Sequence, residues 1–547
     1  MKRKLGLGAI SGGLLVGIRI ATGAGDGSTP APLFEGLGDH RHPAATDSKR
    51  TQRYFDQGLV LGFGFNHAEA HRSFLQAAEI DPDRAMAWWG AAWVPGPNIN
   101  AAMDSQNAPK AWRLLRKAKS AAARAGDREK AYIDALAHRY GPEPMDDRSS
   151  RGAAFARAMG AVADRYPEDM DARVIYAEAL MDLSPWDSWR ENGEPKEVTR
   201  KILSALNGFL RRAPKHPMAN HQKIHAVEAA HPLQRLEEAK RLENLVPGAG
   251  HLVHMPAHLY TRVGRYHDAT RTNQRAIAAD KRHLAQVDAQ GAYRLAHVPH
   301  NCHFGWATGA FEGRRELALR LSREMADMVD PETMRKRPWT TLQQYWITPL
   351  YALVRFGKWD QILAWDSPAE DLPYPRSVWH YARGTAFARR GELDAARDEL
   401  GKLEQTRKDA SLKWATVWDS NKSRHILDIA SHVLQGEIAA AGDFEASIEA
   451  LTHAVAREDA LNYDEPPTWH FPTRQALGAV LLETGKPKRA ETAYREDLKK
   501  YPENGWSLFG PLDALRRQGK TEAAADVERR FREAWRHAEI VLTASRF

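Results

Sequence analysis

The sequence predicts an all-α protein, an α-solenoid of stacked helical hairpins, and three observations carry that prediction. The segment from Tyr54 sets Gly58, Leu61, Ala70, Phe74, Ala77 and Pro82 at offsets of 4, 7, 16, 20, 23 and 28 from the tyrosine. A bulky residue and a glycine stand where two antiparallel helices cross closely, small alanines follow on the second helix, and proline closes it. The twelve-residue step from Gly58 to Ala70 recurs from Gly384 to Ala396 and from Gly478 to Ala490, the last followed by Pro502. Turns of the form GxxxxA also repeat, at GRYHDA from Gly264, GRRELA from Gly313, GELDAA from Gly391, GKPKRA from Gly485 and GKTEAA from Gly519. No period-two alternation competes with the helical pattern.

At 547 residues the chain exceeds one compact core, so several domains or one long repeat array is expected. A hydrophobic content of 43% with 27% charged residues is that of a soluble, folded protein. Residues 1–24, MKRKLGLGAISGGLLVGIRIATGA, place a basic start before a glycine-diluted apolar run and end on small residues. That order predicts a signal peptide, and with it a periplasmic or secreted protein. In such a compartment the single Cys302 excludes an intramolecular disulfide framework. Residues 25–50 are rich in Gly, Pro and polar residues and read as a linker or N-terminal arm. The helical pattern then divides into an N-terminal repeat-like region, 51–213, a His-rich central region, 214–330, and C-terminal repeats, 331–547. Three loops interrupt it, WWGAAWVPGPNIN (88–100), DLSPWDSWRENGEPK (182–196) and YDEPPTWHF (463–471), and loops of this length can close over a groove.

The net charge of +8 includes four basic residues in the first twenty positions, Lys2, Arg3, Lys4 and Arg19. Without them the excess falls to +4, too small and too evenly spread for a nucleic-acid footprint, so no nucleic acid is expected as partner. After the start, no run approaches the roughly 20 apolar residues of a membrane span. The chain also lacks a GxSxG elbow, a P-loop and a GxGxxG before a strand, which leaves phosphoryl transfer and dinucleotide redox chemistry unsupported.

The spacings around Gly58, Gly384 and Gly478 are those of a tetratricopeptide repeat. The stretches GFNHAEAHRSFLQAAEIDP, PWDSW, HPMANHQKIHAVEAAHP, PGAGHLVHMPAHLYTRVGRY, PHNCHF, YDEPPTWHFPTRQALGAVLL and YREDLKKYPENGW extend the likeness over nearly everything after residue 50. The chain thus resembles a bacterial subfamily of large tetratricopeptide-repeat proteins, often exported. That resemblance implies the fold, and the binding of peptides or partner proteins in a concave groove; it implies no activity, so any chemistry rests on the residues themselves.

The histidines are where chemistry is written. In HLVHMPAHLYTRVG, His251, His254 and His258 fall at offsets 0, 3 and 7, along one helix face. HNCHFGWATGAFEG repeats the HxxH in the same frame. His251 and His300 each stand thirteen residues before a turn glycine, and His254 and His303 ten. In the repeat register His254 and His303 take the bulky position and His258 the glycine position, places that normally pack against the partner helix. A buried imidazole without a partner costs about 1–3 kcal/mol, and a metal ion satisfies several at once. The i,i+4 pair His254 and His258 suits one ion, with His300 and His303 from the next repeat and His221, His225 and Glu228 of NHQKIHAVE from the previous one. The expected ligand set is His225, Glu228, His254, His258, His300 and His303.

Imidazole-rich ligation favours copper or zinc over iron and argues against magnesium or calcium. An open position would allow Lewis-acid hydrolysis or oxidation. Pro256 interrupts the HxxxH and requires a helix start nearby. His67, Glu69 and His71 are expected on an exposed helix face, Asp464 and Glu465 on a solvated loop, and Cys302 in packing. Two functions follow. One is an exported solenoid with a His-rich transition-metal centre, a metalloenzyme acting on a small organic or peptide ligand. The other is a protein–protein interaction scaffold whose histidines form a hydrogen-bonded ladder with Asn273 and Asn301. No catalytic residue is assigned.

Overall fold

Several of the described hairpins are built around a glycine that lets two helices touch. A Cβ added at Gly58, in the helix Lys49–Phe63, would lie 2.8 Å from the ring of Phe74 on the helix His67–Ile80. The same contact recurs between Gly478 and Tyr494, at 2.4 Å, across the pair Thr473–Glu483 and Pro487–Lys500. Gly436 meets Leu451 at 2.6 Å across the pair Ser423–Ala439 and Phe444–Asp459. The turns between helices end on glycines with φ near +70 to +80°, Gly264 at 79° and Gly313 at 72°, a left-handed stop that an L side chain resists. The chain is a tetratricopeptide-like array of helical hairpins, as its spacing predicts.

The structure is a computed structural model that describes residues 30–144, 149–190, 192–232, 236–289 and 291–547. The signal-like segment 1–24 lies outside the described residues. Among the described residues the strands are the pair Thr416–Val417 and Asn421–Lys422, which form one short antiparallel hairpin. No helix of the described residues is long and apolar enough to cross a membrane.

Segments from both ends of the described chain pack against its central part. From the N-terminal side, residues 30–48 run as an extended arm across the body. Gly36 O accepts from Gly248 N at 2.8 Å, and Tyr54 and Gln57 side chains donate to Ala31 O and Pro32 O, each at 2.8 Å. From the C-terminal side, the Gly264 turn lies against Pro502 and the Gly313 turn against Trp535, while Trp506 Nε1 donates to Ala310 O at 2.9 Å. Small residues at the crossing points, Gly36, Gly248, Gly264 and Gly313, are what permit these backbones to approach.

Overpacking at one crossing point tests this account. Gly478→Ala forces a methyl into the buried Tyr494 ring and is expected to destabilise the protein by about 1–3 kcal/mol. Gly401→Ala, in the helix Leu393–Thr406 with nothing within 4 Å, is expected to be neutral or stabilising. Thermal denaturation of the two variants measures the difference, and equal melting temperatures would contradict it.

Candidate metal centre

Three consecutive helical segments bring histidines together. The helix Pro217–Val227 starts where the His216 side chain accepts from Ala219 N and where Pro217 fits the first turn, and it carries His221 and His225 one turn apart. The next segment is split by Pro256 into Gly250–His254 and Pro256–Arg262. Met255 at the junction keeps right-handed helical angles (φ −51°, ψ −36°), so the break does not turn the chain and His254 and His258 stay on one face. Gly250 is required at the start of this segment because a Cβ there would lie 2.0 Å from Asp280 Oδ1. Asp280 in turn accepts from Tyr293 Oη at 2.8 Å and Asn301 Nδ2 at 2.6 Å, tying this segment to the following hairpin. The third segment, Val298–Phe311, is entered through a π turn at Tyr293–His297. Pro299 lacks the N–H that an uninterrupted α-helix would need, and the wider turn absorbs the defect while aiming His297 and His300 inward.

The result is two three-histidine clusters. His221, His225 and His251 each offer a nitrogen within 4.8 Å of the other two, and so do His254, His258 and His300. Within the first, His221 Nε2 and His225 Nε2 lie 3.1 Å apart; within the second, His254 Nε2 and His258 Nε2 lie 3.0 Å apart. Metal–nitrogen bonds of about 2.0–2.1 Å place neighbouring ligand nitrogens roughly 3.0–3.4 Å apart, which matches both pairs.

The other ring nitrogen decides what these pairs are. His221 Nδ1 donates to Phe63 O at 2.8 Å, His225 Nδ1 to Glu228 Oε1 at 2.8 Å, and His258 Nδ1 to Glu228 Oε2. His254 Nδ1 donates to Asn273 Oδ1 at 2.7 Å, and that amide is fixed because Asn273 Nδ2 donates to Ala269 O at 2.8 Å. All four acceptors are oxygens that cannot donate, so each Nδ1 carries the proton and each Nε2 a lone pair. In each cluster the two Nε2 atoms then face each other, bridged either by a metal ion or by a second proton on the ring paired with Glu228. Burial and the neighbouring imidazoles hold His221, His251 and His254 well below the usual histidine range, so these three rings stay neutral and offer lone pairs. These groups can hold a metal ion.

Glu228 sits between the clusters. Burial raises its carboxyl, but His258 and His225 outweigh that effect and keep it below the usual range, hence ionised. It also accepts from Tyr463 Oη at 3.3 Å. Its two oxygens are spent on His225 and His258, so it orients a ring in each cluster, as carboxylates behind metal-bound histidines do. His300 completes the second cluster. His303 lies outside both; it stacks on Trp306 at 5.9 Å and meets Tyr345 edge-on at 5.3 Å, and neither of its nitrogens has a hydrogen-bond partner among the described residues. His221 and His251, outside the expected ligand set, complete the first cluster. Their signal was the HxxxH of NHQKIH and the HxxH of HLVH. Asn301 bonds Asp280 rather than a histidine.

Other sequence expectations change. His67 and Glu69 are 5% and 2% exposed, and His71 Nδ1 donates to Ala91 O at 3.0 Å, because the helix Ala85–Trp93 packs on the face expected to meet solvent. Asp464 and Glu465 are not solvated. Thr468 Oγ1 donates to Asp464 at 2.7 Å, Glu465 is 8% exposed, and burial pushes both carboxyls up to about 7. Cys302 is packed in the core, its thiol pushed up to about 12 by burial.

Three loop aromatics close the centre from outside. Trp186, from loop 182–196, lies edge-on to His225 at 5.4 Å; Tyr463 reaches Glu228; and Trp418, from the short strand hairpin, lies edge-on to His300 at 5.4 Å. Trp186 and Trp418 hold left-handed φ values of 60° and 51°, strain typical of positions fixed for a purpose. A separate polar cluster pins the arm: Asp171 accepts from His42 Nδ1 at 2.6 Å and His216 Nε2 at 2.9 Å, with His40 Nε2 3.1 Å away.

Neither a scan of protein-family models nor a search of curated proteins finds a match. Among solved structures, the chain is similar to a human IFIT1 dimer with m7Gppp-AAAA, at 10% identity over 90% of this chain and 91% of that one, with a TM-score of 0.29. It is also similar to the APC/C hetero-tetramer Cut9–Hcn1, at 13% identity over 90% and 95%, TM-score 0.28. A third is yeast Tom70, at 12% identity over 89% and 91%, TM-score 0.25. Likenesses at this level say nothing of what the chain binds; the repeat architecture stands on its own hairpin contacts.

The buried histidines make stability depend on pH in a testable way. Burial pushes His303 down to about 3 from an ordinary 6.5, so between those values only the unfolded chain binds the proton. In ion-free protein, wild type should lose stability relative to His303→Phe by about 1.4 kcal/mol per pH unit as pH falls below about 6.5, with no change above it. Urea denaturation at pH 7 and pH 5 measures this, and a pH-independent difference would contradict it.

Proposed function

We propose that the chain is a metalloprotein in which a tetratricopeptide-like scaffold holds two transition-metal ions, one in each three-histidine cluster. The observation that carries this is the pair of Nε2···Nε2 contacts at 3.1 and 3.0 Å between rings whose Nδ1 protons are already committed. The all-imidazole donor set favours copper or zinc over iron. His221, His225 and His251 form one ligand set and His254, His258 and His300 the other. Glu228 holds two of the rings in the required tautomer. Ions in such sites supply Lewis acidity or, for copper, one-electron chemistry at an open position.

The scaffold then acts as an enzyme on a small organic or peptide ligand admitted between the loops that carry Trp186, Trp418 and Tyr463. The basic-then-apolar start supports export to the periplasm or beyond. A purely structural histidine network, as in an interaction scaffold, accounts for the same atoms only with a second proton on His225 and on His258, the rings paired with Glu228.

Elemental analysis of tag-free protein is expected to give about two equivalents of copper or zinc per chain. His221→Ala with His225→Ala should remove about one equivalent, and His254→Ala with His258→Ala the other. Metal-free protein whose melting temperature does not move on adding copper or zinc would overturn the proposal.

A further inference from the structure

Glu228 belongs to both clusters at once. Its Oε1 accepts from Nδ1 of His225, in the first cluster, at 2.8 Å, and its Oε2 accepts from Nδ1 of His258, in the second. The clusters also meet ring to ring, with His225 and His258 centroids 5.9 Å apart and those of His251 and His254 5.8 Å apart. Glu228 is 0% exposed, so solvent does little to screen what passes through it.

That sharing makes the two ligand sets dependent on each other. An ion held at Nε2 draws electron density out of its imidazole and turns the Nδ1–H into a stronger donor, and the acceptor behind the ring stabilises the ion in return. One carboxylate cannot give its full charge to two such rings. The ion that arrives second finds an acceptor already polarised toward the first, and it meets the first ion's charge across the same poorly screened interior. Both effects oppose the second ion.

The surroundings set the order. The carboxyl groups of Asp464 and Glu465 lie within electrostatic reach of His258 in addition to Glu228. Arg262, 3.9 Å from Glu465 Oε1, offsets one of them, which leaves the second cluster the other. At the first cluster the further neighbours are imidazoles, with His297 edge-on to His251 at 4.9 Å. A cation is therefore held more tightly among His254, His258 and His300.

We propose that the two ions are coupled negatively through Glu228. The cluster of His254, His258 and His300 fills first, and its ion weakens uptake by His221, His225 and His251. When metal is scarce the chain then carries one resident ion, and the first cluster exchanges its own.

This inference rests on the two-ion reading above, and one titration separates them. The ion-free full chain competes with a chromophoric chelator for Zn²⁺. Two unequal steps are expected. His221→Ala with His225→Ala should keep the tighter step. His254→Ala with His258→Ala should leave a single step about fivefold or more tighter than the second step of wild type, because the opposing ion is gone. Glu228→Gln offers one acceptor oxygen where the carboxylate offers two, and it should hold one equivalent of zinc in place of two. If that variant does not fold, the two histidine pairs decide. Two equal steps in wild type, or a His254/His258 variant that binds like the second step of wild type, would overturn the coupling and leave the two ions standing. Loss of the tighter step in the His221/His225 variant would overturn the order of filling. Fewer than two equivalents of zinc or copper on wild type at saturation would overturn the two-ion reading and the coupling with it.

Discussion

The centre depends on one carboxylate. Glu228 is buried, ionised, and bonded through its two oxygens to Nδ1 of His225 and Nδ1 of His258. Those bonds fix the tautomer of one histidine in each cluster and turn both Nε2 lone pairs inward. Phe63 O and Asn273 Oδ1 do the same for His221 and His254. Without these acceptors the four rings could exchange protons and satisfy one another as an ordinary hydrogen-bonded core. With them, the facing nitrogens are bridged only by a metal ion or by an extra proton on the ring paired with Glu228.

A repeat array suits such a centre. Successive hairpins present equivalent helix faces to one another, so three segments in a row can each contribute histidines at one depth. The helix defects are placed where they serve this. Pro256 splits one helix without turning it, and the π turn before Pro299 aims the next. The returning ends of the chain add the enclosure, through the arm that Asp171 pins and through loops whose strained tryptophans touch His225 and His300. Low solvent access lowers His221, His225, His251, His254 and His300 from the usual histidine range and magnifies any charge placed among them.

Much of this was legible in the sequence because it is local. At Gly58 and Gly478 the glycine opposite a bulky ring is a within-hairpin contact that the twelve-residue step reports directly, while Gly384 in the same register meets Leu434 of the following hairpin. The HxxH repeat counted back from Gly264 and Gly313 likewise located the helices that converge. What periodicity could not give is which ring meets which across repeats. His254 and His303 are equivalent in register, yet His254 faces Asn273 on its own partner helix while His303 faces Tyr345 on the next hairpin. The burial of His67 beside His297 and of Glu465 beside Arg262 is set by residues far apart in the chain, and composition pointed to solvent instead. Trp418 belongs to a strand hairpin too short to leave a pattern.

The most direct test of the two-ion centre is anomalous diffraction from crystals of protein purified with its native metal. The account predicts two anomalous peaks, each about 2.0–2.1 Å from three Nε2 or Nδ1 atoms, one among His221, His225 and His251 and the other among His254, His258 and His300. No peak at either cluster, with the facing histidine nitrogens bridged by ordered water or rotated apart, would contradict it.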